Sequence, residues 1–538
     1  MNPNRISSLA LSLTLSFLLL IFRVLQIQFQ DNQTSALNTN QARVLSTLNS
    51  ERGIIYSSDH HPLALNQITL QISLYKPELK LNQSQLLNQL NQLNQLSSAD
   101  LTTINNFYLR PNTQWADLNT RFLTENQTHL AKIKGVKINQ TSVRLYPTTF
   151  TYPHLVGTWS KNQFGNYTGT SGLENYYQRL LNGQIGYFYS LKDALGNPII
   201  SKNTLYLPPT NGLSLLTGIN RFAQLILEKE LISGLTEYRA KSASAIVLNS
   251  SNCEILAMAS FEATESGVVA PNPNPALTRL IEPGSVFKPL IMASALDSRV
   301  ISTDYICPTC DRPFRASGFE INNWDNSFHA QTNLKDILKN SDNIGMSHLI
   351  NKLGLKNFLN YYHQLGLDQI TRIDLPGETT SSLKTYWSDI DLATASFGQG
   401  IAITPLQMIT AFNSLANNGQ TCTPHLNRQI PANNQKVFNP ATANLISEYL
   451  KYATENSAAN NFRPENLEAC AKSGTAQVAA GGNYNSNQVI ASYIGFSPCI
   501  KPKFTLYVIL DNPQSSNWGS STAAPIWYKI SDQIDSLL

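Results

Sequence analysis

An apolar run opens the chain. Ile6 to Phe22 carries no charge, is dominated by Leu, Ser and Phe, and is bracketed by Arg5 and Arg23. At 17 residues it lies near the lower limit for a helix that spans a bilayer. No small-x-small cleavage site follows, and Val24-Leu25-Gln26-Ile27 continues the helical pattern, so an uncleaved anchor is favoured over a signal peptide. An arginine on each side leaves the positive-inside bias weak, and orientation rests on the position of the span at the amino terminus.

Asp31 to Asn49 is polar and reads as a stalk or linker. Arg52-Gly53-Ile54-Ile55-Tyr56 is a short strand signal that ends in the turn-like Ser57-Ser58-Asp59. From Leu81 to Leu96 a Leu-Asn-Gln repeat has a period of three, which suits a surface helix or a low-complexity insertion and carries no chemistry. Residues 144–215 are rich in Tyr, Gly, Asn and Pro, with Gly172, Gly183, Gly186 and Gly196 as punctuation, which predicts extended segments and turns joining two domains. The boundary falls near 200–240.

Beyond it the pattern is regular. Ser244 to Asn249 and Glu254 to Ser260 predict a hairpin, and Val489 to Phe496 and Phe504 to Leu510 predict another pair of strands. Ile526, Ile530, Ile534 and Leu537 line one face of a helix over 525–537. Thr404-Pro405-Leu406-Gln407 has the N-cap, the first-turn proline and the glutamine of a capping box, with Gly419 as a stop. The fold class is α/β (α+β), with sheet strands drawn from both ends of the sequence.

Length and composition narrow the function. A chain of 538 residues exceeds one ordinary core, so two or three domains are expected. With 42% hydrophobic and 14% charged residues it is too apolar for disorder and too interrupted for many membrane spans. A net charge of +4 without a basic run gives no footprint for nucleic acid. Asn, at about one residue in ten, reflects genome bias. Six cysteines are too few for a dense disulfide scaffold, and neither paired CxxC motifs nor HExxH are present, so neither a metal nor another cofactor is expected.

The chemistry concentrates in Glu282-Pro283-Gly284-Ser285-Val286-Phe287-Lys288-Pro289, followed by Leu290 to Leu296. A Pro-Gly turn leads into a helix that is apolar nearly all round and therefore buried. Ser285 occupies its first turn, and Lys288, three residues on, shares its face and can reach the hydroxyl. Burial lowers the lysine pKa, which suits it to take the serine proton near neutral pH, and backbone N–H groups at the helix start can stabilise an oxyanion. Ser-x-x-Lys alone is weak: Ser73-Leu74-Tyr75-Lys76 and Ser381-Ser382-Leu383-Lys384 also match, though neither opens an apolar helix. The ordered set carries the signal. Ser341-Asp342-Asn343 precedes the apolar Ile344-Gly345-Met346, and Lys472-Ser473-Gly474-Thr475 precedes the Val489 strand. Taken singly, Ser341 reads as a helix cap, Lys472 as a solvated strand end and Gly474 as a bulge; all three motifs in this order make that set of readings improbable.

With these motifs the chain resembles the class B penicillin-binding proteins. Phe397-Gly398-Gln399-Gly400 with Thr404 to Gln407, and Asp511-Asn512-Pro513-Gln514 with Ala523-Ala524-Pro525, resemble the septal members in particular. Gly172-Leu173-Glu174, Gly183-x-x-Gly186 and Asp193-x-x-Gly196 are similar to the family's join between pedestal and catalytic domain. The resemblance implies an anchor in 1–30, a pedestal in 31–215 and a transpeptidase domain in 216–538 with a five-stranded antiparallel sheet flanked by helices. It implies a serine D,D-transpeptidase that cross-links peptidoglycan stem peptides, is a target of β-lactams, and sits in the bacterial cytoplasmic membrane by a single pass with its bulk outside. It also implies a polytopic membrane glycosyltransferase and divisome proteins as partners.

By the same resemblance Ser285 is the nucleophile, Lys288 the base and Ser341 the relay to the departing D-Ala. Asn343 binds the donor peptide, and Lys472, Ser473 and Gly474 shape the site. Thr475 holds the terminal carboxylate, and the N–H groups of Ser285 and Thr475 form the oxyanion hole. How Lys288 and Lys472 divide the acid and base roles is left open. A D,D-carboxypeptidase or β-lactamase using the same residues is the enzymatic alternative, and a non-catalytic sensor or scaffold the alternative from another class. Three departures stand out: Ser57-Ser58-Asp59-His60 replaces an Asp-Arg-Asn-Gly-like turn, Pro275 replaces an arginine, and Ser473 replaces threonine. Cys307-Pro308-Thr309-Cys310 is a lone CxxC compatible with a disulfide in an extracytoplasmic loop, without the βαβ context of a redox enzyme; Cys470 reads as a packed strand residue.

Overall fold

The structure, a computed structural model, describes residues 10–28, 43–147, 154–161, 163, 167–193, 198–200, 204–480 and 483–538. Arg5, the first part of the expected stalk and Gly196 lie outside them. Ala10–Gln28 forms one helix of 19 residues, with a mean hydropathy of 2.0 and no buried surface, long and apolar enough to cross a membrane.

Two compact units emerge, Met1–Gly53 with Arg179–Leu213, and Ile54–Gln178 with Ser214–Leu538. In the first, Gly186–Lys192 pairs antiparallel with Arg43–Leu48, Leu205–Leu207 and Pro198–Ile199. The second opens with a sheet in which Pro62–Tyr75 pairs with both Trp115–Leu123 and Val136–Leu145. The Leu-Asn-Gln repeat resolves as the helix Gln83–Leu93, begun by a capping box between Asn82 and Gln85. Leu86 and Leu90, one turn apart, enter a core with Leu70, Ile72, Phe107 and Phe122. That pair of leucines, each contributing roughly 1.5–3 kcal/mol on full burial, decides for helix over insertion.

The larger sheet has the order Gly267–Val269, Ile255–Thr264, Ser242–Asn249, Phe504–Asp511, Asn483–Ser497, Cys470–Ala480, antiparallel throughout. It holds five long strands and a sixth, three-residue edge strand absent from the sequence expectation, because Gly267 at φ +118° turns the chain back on Ile255–Thr264. One face packs on the helices Arg221–Glu237 and Ala523–Asp535, burying Leu227, Leu231, Ile526, Trp527 and Ile530 against Val247, Leu506 and Val508. Alternate residues face the other way: Thr505 donates to Asn413 Oδ1 at 2.6 Å, on the buried helix Pro405–Ala416. That helix starts with the expected capping box, Gln407 N on Thr404 Oγ1 at 3.1 Å and Thr404 N on Gln407 Oε1 at 2.8 Å.

All six cysteines are paired, as Cys253–Cys422, Cys307–Cys310 and Cys470–Cys499. The reading of Cys470 as merely packed is corrected. Cys470 lies opposite Phe496 in the antiparallel register, and the chain turns just beyond Ser497, which brings Cys499 to it.

Candidate active site

Ser285 is half-buried in a short 3-10 turn, Gly284–Phe287, that runs straight into the helix Lys288–Asp297. Two other segments clamp this turn. Gly284 N donates to Gly398 O at 3.1 Å, and a Cβ on Gly398, which sits at φ +76°, would come within 2.3 Å of Gly284 O. On the other side the strand Cys470–Ala480 passes so close that a Cβ on Gly474 would lie 2.8 Å from Val286 Cγ1 and 2.6 Å from Ser492 Oγ. Glycine is therefore needed at 474 for close approach, and Gly474 is not a bulge: the register runs unbroken from Cys470 to Gln477.

Lys288 is wholly buried. Its Nζ donates to Ser341 O at 2.5 Å, Asn343 Oδ1 at 2.8 Å and Ser341 Oγ at 3.1 Å; among the described residues Ser285 is not one of its hydrogen-bond partners. Ser341 adopts φ +52°, which lets it offer both oxygens. It is not the helix cap. Asp342 is, accepting from Gly345 N at 2.8 Å at the start of Asn343–Gln364. Asn343 is held by two neighbours, its N–H donating to Asn323 Oδ1 at 2.8 Å and its side-chain amide to Asn322 O at 3.2 Å.

Lys472 is buried as well, with Nζ on Ser473 O at 3.0 Å, so the solvated strand end is excluded. Burial pushes its pKa down to about 8. The Lys288 pKa lies well below the ordinary lysine value, first through burial, then through the charge of Lys472, with Asp342 opposing. Both shifts favour the neutral amine. Ser473 and Thr475 are half-buried, and Thr475 Oγ1 accepts from Gly519 N at 3.2 Å.

Lys288, Ser341 and Asn343 thus form one hydrogen-bonded cluster one turn from Ser285, with Lys472 coupled to it electrostatically. The two decoy motifs do other work: Ser73 donates across to Asp117 on the neighbouring strand, and Lys384 pairs with Asp391. Sequence reasoning missed Asp342 and the exposed pair Trp324–Trp518, edge to face at 4.9 Å, one beside Asn323 and the other beside Gly519. Tryptophans next to Asn-Asn and Gly in loops were the available signal. Among the described residues no three His, Cys, Asp or Glu side chains gather as a metal site.

Comparison with known proteins agrees with this geometry. Residues 243–532, more than half the chain, match the penicillin-binding protein transpeptidase domain, and residues 47–217 match the penicillin-binding protein dimerisation domain. Stage V sporulation protein D of Bacillus subtilis is 30% identical over 417 residues, covering 73% of this chain and 64% of that protein, so the match spans just under two thirds of the relative's length. Peptidoglycan D,D-transpeptidase FtsI of Buchnera aphidicola is 27% identical over 537 residues, covering 96% and 92%. Penicillin Binding Protein 2X from Streptococcus thermophilus superposes with a TM-score of 0.74 at 21% identity, covering 92% of this chain and 80% of that one, a likeness of fold. The chain belongs to the penicillin-binding protein transpeptidase family.

Proposed function

We propose that the chain is a membrane-anchored serine D,D-transpeptidase that cross-links peptidoglycan stem peptides and is acylated by β-lactams. The observation that carries this reading is Lys288, buried with neutral hydrogen-bond partners one helical turn from Ser285. A lysine so placed is readily neutral and can accept the Ser285 proton as Oγ attacks the D-Ala-D-Ala carbonyl. The N–H groups of Ser285 and Thr475 hold the oxyanion. The C–N bond then breaks, Ser341 passes the proton from Lys288 to the departing D-Ala amine, and an ester on Ser285 remains. An amine of a second stem peptide attacks that ester, and its proton returns to Ser285 Oγ. Asn343 binds the donor peptide, Ser473 and Gly474 shape the site beside it, and Thr475 takes the terminal carboxylate.

The helix Ala10–Gln28 anchors the chain in the bacterial cytoplasmic membrane with the bulk outside. The pedestal is 31–215 and the catalytic domain 216–538. Septal division is the setting, and a polytopic membrane glycosyltransferase with divisome proteins are the partners. Three disulfides support an oxidising, extracytoplasmic compartment.

The test is labelling of the detergent-solubilised full chain with a fluorescent penicillin, read by intact mass. One adduct per chain is expected, absent in Ser285→Ala and long-lived in wild type. Rapid loss of the adduct would mark a β-lactamase, and a folded protein without adduct would mark a scaffold.

A further inference from the structure

The segment leading to Ser341 is a strap tied at both ends. Cys307–Cys310 closes its start, Cys307 N donates to Thr332 O at 2.9 Å, and His329 N donates to Cys310 O at 2.8 Å. The tie presents the His329 ring to the start of the helix Asn343–Gln364. There Nδ1 lies 3.1 Å from Asp342 Oδ2, and Nε2 lies 3.3 Å from Ser327 Oγ. Ser327 donates its own hydroxyl proton to Asp325 Oδ1 at 2.7 Å, so its oxygen is left to accept from Nε2. Both ring nitrogens thus face oxygens that can accept a hydrogen bond. The Asp342 side chain is fully buried and His329 is 31% exposed, so the histidine can exchange protons with water while the carboxylate cannot. Asp342 stands between Ser341 and Asn343, the two residues that hold Lys288 Nζ.

We propose that His329, acting through Asp342, is a positioning residue that sets the lower pH limit of Ser285 acylation. The inference rests on the reading of Lys288 as the base. Asp342 favours the ammonium form of Lys288. When His329 is protonated it offsets that carboxylate, and Lys288 gives up its proton at a lower pH than it otherwise would. The other charged groups present act by other routes. Asp325 faces His329 through Ser327; Lys472 acts on Lys288 directly and is itself buried. His348, which also feels Asp342 and Lys352, has its pKa lowered by burial.

The experiment is the second-order rate of acylation of the full chain by a fluorescent penicillin between pH 5 and 9, each profile normalised to its own plateau. His329→Gln keeps a hydrogen-bond donor for Asp342 but cannot charge, and its acidic limb is expected to move up by about half a pH unit. Ser327→Ala, which removes the acceptor for Nε2 together with the hydroxyl that bonds Asp325, moves it the same way by less. Asp342→Asn keeps the helix cap, moves the limb down, and makes His329→Gln silent when the two are combined. A His329→Gln limb that superposes on wild type, or a loss of rate equal at every pH, overturns the inference and leaves the transpeptidase reading standing. A wild type that is never acylated overturns both.

Discussion

Arg144 and Lys288 are both buried cations, and the molecule treats them in opposite ways. Arg144, in the strand Val136–Leu145, places Nε 2.7 Å from Glu174 Oε1, with side chains only 1% and 0% exposed, and Nη1 3.0 Å from Asn66 Oδ1. Lys288 is just as buried, yet it has only neutral acceptors, a serine carbonyl, a serine hydroxyl and an asparagine amide, with a second lysine nearby. A buried charge is tolerable when it is matched, and a titratable one without a paired counter-charge gives up its proton more easily. The first arrangement holds a fold together; the second stores a base.

Substituting each cation by methionine separates the two. Lys288→Met is expected to lower the acylation rate by about 10²–10⁴-fold, the range for a general base, while thermal unfolding changes little. The lost hydrogen bonds are offset by relief of a desolvated amine. Arg144→Met should do the reverse. It leaves Glu174 buried without its cation and costs about 3–5 kcal/mol of stability by chemical denaturation, much of it recovered when Glu174→Gln is added. An Lys288→Met protein that lost stability as heavily as Arg144→Met would erase the distinction.

The same contrast explains what the sequence disclosed. Local patterns were legible: the apolar helix behind Ser285, the hairpin strands and the Thr404 capping box all formed as expected. The ordered motifs were legible because spacing along the chain carries them. What could not be read depends on residues brought together from afar. Nothing near Cys470 points to Cys499, and nothing in Ser341-Asp342-Asn343 alone shows that Asp342 is the cap and meets His329. Gly172-Leu173-Glu174 flagged one half of the buried ion pair, while Arg144, in a polar stretch of strand, gave no sign.

Lys472 is a third buried cation, and its cost depends on pH. Burial lowers its pKa from 10.5 to about 8, so between those values the unfolded chain binds more protons than the folded one. Stability from this group therefore rises with pH through that window, and below pH 8 the folded state carries the full cost of the buried ammonium. Relative to Lys472→Met, wild type should be less stable at pH 7, by up to about 3 kcal/mol, with the gap closing toward pH 10.5. Denaturant unfolding of both proteins at pH 7 and 10 measures it. A gap constant with pH would mean that Lys472 is not desolvated.

The smallest effect is expected on the strand that holds Arg144. Lys137 Nζ lies 2.7 Å from Glu78 Oε2, the same separation as in the buried pair, but the side chains are 46% and 50% exposed. Water screens this contact, and ordering two long side chains opposes it, so Lys137→Met should cost at most ~1 kcal/mol, shrinking as salt is raised. Its ammonium also stands 5.9 Å from the Tyr75 ring centroid, a contact that methionine partly replaces through its own packing. Because distance and charge type are nearly matched within one strand, the difference between Lys137→Met and Arg144→Met isolates burial as the variable. Equal losses at the two positions would mean that pairing alone, whatever its depth, holds this sheet, and the contrast with Lys288 would then rest on catalysis only.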